Sequence, residues 1–405
     1  MGMSASLNPL KHLSSLRHDW SVSAVVAGII ATIMGYAGPL VILFQAAEAA
    51  SLSAVQLTSW IWGMSIASGI LCLWFSLRYK MPIMFAWNAP GSALLVTLLP
   101  GLTFNQAVGA YIMSGLLLLI LGITGSFQRI VAHLPLSLAA ALLAGILLQF
   151  GLSLFNQMAV EPALGIIMMA VYVSAKVINP RYAIICAVMA GLFYLLVTGN
   201  TAFNSLKWAI SAPEFVAPEF TLYGFLNVAI PLTLVAISGQ FITGLAVLRQ
   251  DGYQPPANQI VAGSGLVSSI FALVGCHGVN LAAITAAICT GKEAHANSEK
   301  RYAGTVAGAI TFFAFGLFSA TLVAIIQALP ASYIAIVAGL ALLGAIESSL
   351  MTSVAQSSER EAALCTFLVT ASGFEIFQLT SAFWGLIIGV AVLVLRRWLS
   401  AFIAK

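Results

Sequence analysis

Two short segments hold the side chains in this chain whose types and spacing could do chemistry. Met84-Phe-Ala-Trp-Asn-Ala-Pro-Gly-Ser92 and Gly275-Cys-His-Gly-Val-Asn-Leu281 each set Asn, Gly and other helix-breaking residues inside strongly apolar surroundings. Asn88 suits the N-cap of a helix over 89–99, Pro90 is tolerated in its first turn, and Pro100-Gly101 stops it. Asn280 reads in the same way, as the cap of a helix over 281–290 that ends at Gly291 and Lys292. Each such helix rises only about 15 Å, roughly half of a hydrocarbon core. The preceding residues, 82–87 and 275–279, must then cross the other half as extended chain. Two half-helices meeting near the midplane turn unpaired N–H groups and about half a positive charge each toward one point, which suits an anion. Of the 12 acidic residues only Glu347 falls clearly within a span, near its inner end. Two positive helix ends, His277 and no nearby acid disfavour a cation and favour a small carboxylate.

The rest of the chain must supply a membrane scaffold for these segments. With 405 residues, 61% of them hydrophobic and 7% charged, and a mean hydropathy of +1.03, it reads as an all-α polytopic membrane protein. Non-helical chain survives at membrane depth only where it is buried in protein or lines a cavity, and in carriers that place is the substrate site. Apolar runs between polar breaks predict about fourteen segments, at 22–46, 55–77, 81–99, 105–124, 134–154, 161–177, 181–199, 224–248, 257–274, 275–291, 303–328, 332–350, 359–373 and 376–400. Charge checks this count. With both termini cytoplasmic, every Lys and Arg except Lys207 falls on the inner side, from Lys11 and Arg17 through Arg181 to Lys405. The net charge of +4 therefore reflects topology and gives no hint of nucleic acid. Cys72, Cys186, Cys276, Cys289 and Cys365 lie in apolar stretches without metal-ligand spacing and read as free thiols, so no metal or cofactor is expected. Nor does the N-terminal tail, 1–21, carry the cleavage site of a removable signal peptide.

One long polar interruption, from Gly199 to Tyr223, includes Pro213, Pro218 and an amphipathic stretch, Phe203–Ile210. It reads as an extracytoplasmic linker (200–223) between two seven-span repeats, 22–199 and 224–405. An odd number of spans per half sends the second half through the membrane in the opposite sense, the geometry of an inverted repeat. Weak internal similarity agrees: Leu40–Gln45 can be laid on Leu245–Gln250, and Asn88 on Asn280.

The full length of the chain, the seven-plus-seven layout and the stretches Phe85-Ala-Trp-Asn-Ala-Pro-Gly91 and Gly275-Cys-His-Gly-Val-Asn280 resemble the benzoate/proton symporter family (BenE type). That family is related in fold to nucleobase/proton symporters and to sulfate and bicarbonate carriers. The resemblance implies a core domain from spans 1–4 and 8–11 (22–124 and 224–328) and a gate domain from spans 5–7 and 12–14 (134–199 and 332–400), with substrate held between the half-helices. It sets His277 where the nucleobase carriers have a substrate-binding glutamate, and Gln240 near their polar substrate-side residues. The missing acids argue against a nucleobase.

The resulting expectation is an inner-membrane carrier that imports an aromatic carboxylate, benzoate by resemblance, with a proton; a homodimer is compatible with it. The substrate set comprises Asn88, Ala89, Pro90 and Gly91 at the first break, Cys276, His277, Gly278 and Asn280 at the second, Gln240, Tyr36, and Trp87 and Phe241 as candidate ring-stacking partners. His277 is the candidate proton carrier, its imidazole titrating near neutrality; co-transport of the neutral acid is the rival. Each residue also has a structural reading. His277 can hydrogen-bond loose backbone, both asparagines can serve only as caps, Gln240 can join helices, and the aromatic rings can be packing. A membrane enzyme is disfavoured by the lack of His-Glu-x-x-His, paired intramembrane aspartates or a Gly-x-Ser-x-Gly elbow. A passive anion channel shares the positive midplane and stays open as an alternative.

Overall fold

A computed structural model describes residues 16, 18–133, 135–200, 208–282, 284–376 and 379–403. Lys11, Arg17, Lys207, Lys405, residues 203–207 of the amphipathic stretch and nearly all of the N-terminal tail lie outside them.

The architecture is helical. α1 (Val22–Ala37) and α2 (Pro39–Ala49) share one span interrupted at Gly38. α3 (Ala54–Tyr79) starts at a capping box in which Ser53 and Gln56 satisfy each other's backbone N–H. After β1 (Phe85–Trp87) come α4 (Ala89–Leu98), α5 (Phe104–Ile123), α6 (Phe127–His133), α7 (Leu136–Val160), α8 (Pro162–Ile178) and α9 (Ala183–Thr198). α10 (Leu222–Gln250) contains two π turns, Phe225–Ala229 and Ile237–Phe241. The first precedes Pro231, which has no N–H to return to the fourth residue before it. α11 (Ala257–Phe271), β2 (Val279–Leu281), α12 (Ile284–Thr290), α13 (Tyr302–Leu317), α14 (Ser319–Gln327), α15 (Ala331–Val354), α16 (Arg360–Ala371) and α17 (Ser381–Ile403) complete the chain.

Among the described residues eight helices are long and apolar enough to cross a bilayer, and the pair around α13 and α14, bent by 68°, makes a ninth. The expected segments 81–99, 161–177, 181–199, 275–291 and 359–373 are shorter, because strands, tight turns and early helix stops take up their ends. Outward faces carry large apolar side chains such as Ile166, Val177, Phe193, Leu368, Val394 and Trp398, as a lipid-facing bundle requires.

Small residues set a very close helix crossing. A Cβ on Gly28 of α1 would lie 1.9 Å from the Gly304 carbonyl oxygen of α13, so only glycine permits this approach, and Thr32 Oγ1 donates to Gly308 O at 3.2 Å in the same crossing. The segment 208–220 has no regular structure but is tied by its main chain. The N–H groups of Ser211, Glu214, Val216 and Glu219 donate to Leu317 O, Ser59 Oγ, Leu273 O and Asn105 O at 2.8–2.9 Å. The starts of α3 and α5 therefore lie beside the ends of α11 and α13, and the two pairs run in opposite directions.

Candidate functional site

The two breaks predicted from sequence meet. β1 and β2 pair antiparallel, with Phe85 opposite Leu281, Ala86 opposite Asn280 and Trp87 opposite Val279, and Ala282 N–H extends the ladder to Met84 O at 2.8 Å. All six strand residues are buried. Pairing solves the problem that extended chain poses at membrane depth, since each strand satisfies main-chain groups the other would leave bare. Cys72 closes the outer side of β1: its thiol accepts from Phe85 N–H at 3.0 Å and lies 3.3 Å from Phe85 O.

Asn88 caps α4 as its position predicts. Its Oδ1 accepts from Gly91 N–H at 3.0 Å and its carbonyl takes the Ser92 N–H at 2.7 Å. Gly91 has no Cβ to collide with the Asn88 amide, which would lie 2.6 Å away, or with Leu232 of α10. The Asn88 Nδ2 group is buried and has no hydrogen-bond partner among the described residues. Pro90 is buried and Ala89 is half-buried beside it.

Asn280 does not cap the second half-helix. It lies in β2, its Oδ1 accepts from Ser264 Oγ at 3.2 Å, and α12 begins four residues later at Ile284. Strand pairing with Ala86 holds Asn280 extended, so the helix cannot start there.

His277 sits between the two breaks, 2% exposed. Gly275 (φ +96°) and Gly278 (φ +141°) adopt backbone conformations that L side chains rarely enter, and they turn the intervening chain so that Cys276 and His277 are both buried. Trp60 Nε1–H of α3 donates to His277 Nδ1 at 3.1 Å, and His277 Nε2 lies 3.2 Å from Asn88 O and 3.1 Å from Ser92 Oγ. Tyr111 of α5 packs edge-on against the imidazole, and its buried hydroxyl has no partner among the described residues. Trp60, Ser92 and Tyr111 are site neighbours that sequence patterning misses. A lone Ser four residues after Asn88 was the only readable signal, because aromatic residues within apolar spans look like packing.

The remaining expected residues surround this centre. Tyr36 is buried, hydrogen-bonded through its hydroxyl to Ser65, with its ring 4.5 Å from that of Trp87. Trp87 Nε1–H donates to Gly35 O. Gln240 is half-buried in the second π turn of α10 and its side chain has no hydrogen-bond partner among the described residues. That turn passes the start of α4: a Cβ on Gly239 would lie 3.8 Å from Pro90. Phe241 is buried and packs edge-on against Phe127 of α6. Among the described residues no three His, Cys, Asp or Glu side chains gather as metal ligands would.

A membrane bundle with two broken segments paired at its centre has the architecture of a carrier protein. Two solved structures share the fold. The chain resembles SLC26A9 with a TM-score of 0.61 at 15% identity, covering 95% of this chain and 67% of the other. It resembles the transmembrane domain of the cyanobacterial bicarbonate transporter BicA with a TM-score of 0.58 at 14% identity, covering 91% and 97%. The chain belongs to the benzoate membrane transport protein family (BenE), which residues 18–395 match. It is 40% identical over 378 residues to the benzoate membrane transport protein of Acinetobacter baylyi, covering 93% of this chain and 96% of that one. It is 39% identical over 365 residues to the inner membrane protein YdcO of Escherichia coli, covering 90% and 93%. It is a membrane transport protein and not an enzyme.

Proposed function

We propose that the protein imports an aromatic carboxylate, benzoate or a close analogue, together with a proton across the cytoplasmic membrane by alternating access. The observation that carries this reading is the Asn88 amide, a buried hydrogen-bond donor at the N-terminus of α4 without a partner among the described residues. An unmade buried hydrogen bond costs about 1–3 kcal/mol, so its retention points to a ligand acceptor. A carboxylate oxygen there would meet the amide and the first turn of a helix. The buried Tyr111 hydroxyl, unpartnered among the described residues, and the half-buried Gln240 side chain offer further polar groups, and the apolar surroundings suit a ring.

The fourteen-segment inverted repeat, the linker at 200–223 and the core and gate domains belong to the same proposal. Its support is that exchanging the halves maps the helix contacts onto themselves. α3 packs on α13 as α11 packs on α5, α8 on α9 as α16 on α17, and β1 on β2 and α7 on α15 each relate corresponding segments. Both termini lie in the cytoplasm in this arrangement. The proton binds His277 or enters with the substrate as the neutral acid.

Thermal shift of the purified protein tests the substrate class. Benzoate at about a hundred times its Kd should stabilise the fold by about 2.7 kcal/mol, and benzamide, equal in shape but uncharged, by much less. Stabilisation by uracil or sulfate and none by benzoate would sink the proposal.

A further inference from the structure

We infer that Trp60 fixes the proton of His277 on Nε2, and that His277 serves the site as a positioning residue for the Asn88 cap and not as the carrier of the coupling proton. The argument rests on donor and acceptor identity. An indole N–H can only donate and a carbonyl oxygen can only accept. Trp60 Nε1–H approaches His277 Nδ1 at 3.1 Å, so Nδ1 must present its lone pair. The ring proton then sits on Nε2, facing Asn88 O at 3.2 Å. Ser92 Oγ, 3.1 Å from Nε2, donates its own proton to Asn88 O at 3.2 Å and has a lone pair left for the imidazole. Every hydrogen on the Trp60–His277–Ser92 path has one consistent direction, and it ends on the residue whose amide is offered to the ligand.

A second proton on the ring would have to enter at Nδ1, donor against donor with Trp60, in a place 2% exposed. Among the described residues nothing acidic compensates it. Among the described residues the titratable groups beside the ring are Tyr111 of α5, whose ring packs edge-on against it, and Cys276, its buried neighbour in the chain, while α3 contributes Trp60, the cap of α4 contributes Asn88 and its first turn Ser92. The coupling proton is then carried by the substrate: it joins the carboxylate outside and leaves it inside.

The tautomer is read directly from the ¹⁵N imidazole signals of the protein in nanodiscs without substrate, with His277 assigned by its loss in His277→Gln. The wild type should show the Nε2–H form with an unprotonated Nδ1 throughout about pH 6 to 8, and Trp60→Phe should show exchanging tautomers. An Nδ1–H or doubly protonated ring in the wild type would overturn the inference without recourse to any variant. The transport arm rests on the proposed benzoate reading. In His277→Gln the amide offers an acceptor to Trp60 and a donor to Asn88 but holds the cap less well, so benzoate exchange and proton-driven accumulation in proteoliposomes should fall together and in the same proportion, by about fivefold, the scale of one buried hydrogen bond. Exchange retained with accumulation abolished would make His277 the proton carrier. Failure of benzoate to bind the wild type would instead strike the substrate assignment and leave the spectroscopic result standing.

Discussion

The indole N–H of Trp87 donates to the carbonyl of Gly35 at 2.8 Å, replacing the helical donor that Pro39 lacks. Gly35 lies four residues before Pro39, so its carbonyl would receive the N–H at that position if the residue there had one. In lipid that carbonyl must find another donor. The first break region supplies it, and the bond thereby ties the kink in the first span to the strand leading to Asn88.

A double-mutant cycle should expose this exchange. Trp87→Phe alone should destabilise the fold by about 1–3 kcal/mol, the cost of an unsatisfied buried carbonyl. Introduced beside Pro39→Ala, which restores a donor within the helix, it should cost clearly less. Equal costs in both backgrounds, measured by thermal denaturation in detergent, would show that the bond is idle.

Asn88→Asp separates capping from ligand binding. The carboxylate keeps an oxygen for Gly91 N–H, so the melting temperature should stay near wild type. It loses the free amide and adds negative charge where the substrate carboxylate is proposed to sit, so benzoate binding should fall more than tenfold. Asn88→Ala should lose binding and also about 1 kcal/mol of stability.

Gly28→Ala should be among the more damaging single-methyl additions. The new Cβ would strike the Gly304 carbonyl, which is backbone and cannot rotate aside, so α1 and α13 must separate. The expected loss is about 1–3 kcal/mol of stability, against a negligible effect for alanine at Gly344, where nothing lies within 4 Å.

Single cysteines at Ser51, Asn105 and Ala212, all exposed, should react with an impermeant thiol reagent in intact cells, and cysteines at Tyr79, Ser126 and Ser357 should not. Labelling of the second set would overturn the proposed orientation.

The sequence made some of this legible and hid the rest for identifiable reasons. Asn88 was readable as a cap because capping is local: side chain, Pro90 and the Gly91 N–H lie within one turn. The same logic misread Asn280, whose fate depends on a strand partner about two hundred residues away in the chain. Extended chain before each half-helix was foreseeable from helix length, but its pairing was not, since a three-residue buried strand carries no alternation to recognise. The π turns of α10 and the Trp60–His277 bond were hidden too, because both depend on neighbours brought close only by folding. Gln240 was picked out as a polar side chain in an apolar span, and it lies on one of those turns.

The segment 208–220 carries an evolutionary consequence. Five of its main-chain N–H groups, at Ala209, Ser211, Glu214, Val216 and Glu219, donate to residues near helix ends, and the Glu214 and Ala217 carbonyls accept from Ser59 and Asn105, while the side chains of Ser211 and Glu219 add one hydrogen bond each. Selection there acts on the path of the chain and on the positions at which proline is forbidden, more than on side-chain identity. Homologous carriers should therefore drift freely in sequence across this stretch while keeping its length and its course, and an alignment would score as variable a piece of the protein whose geometry is constrained.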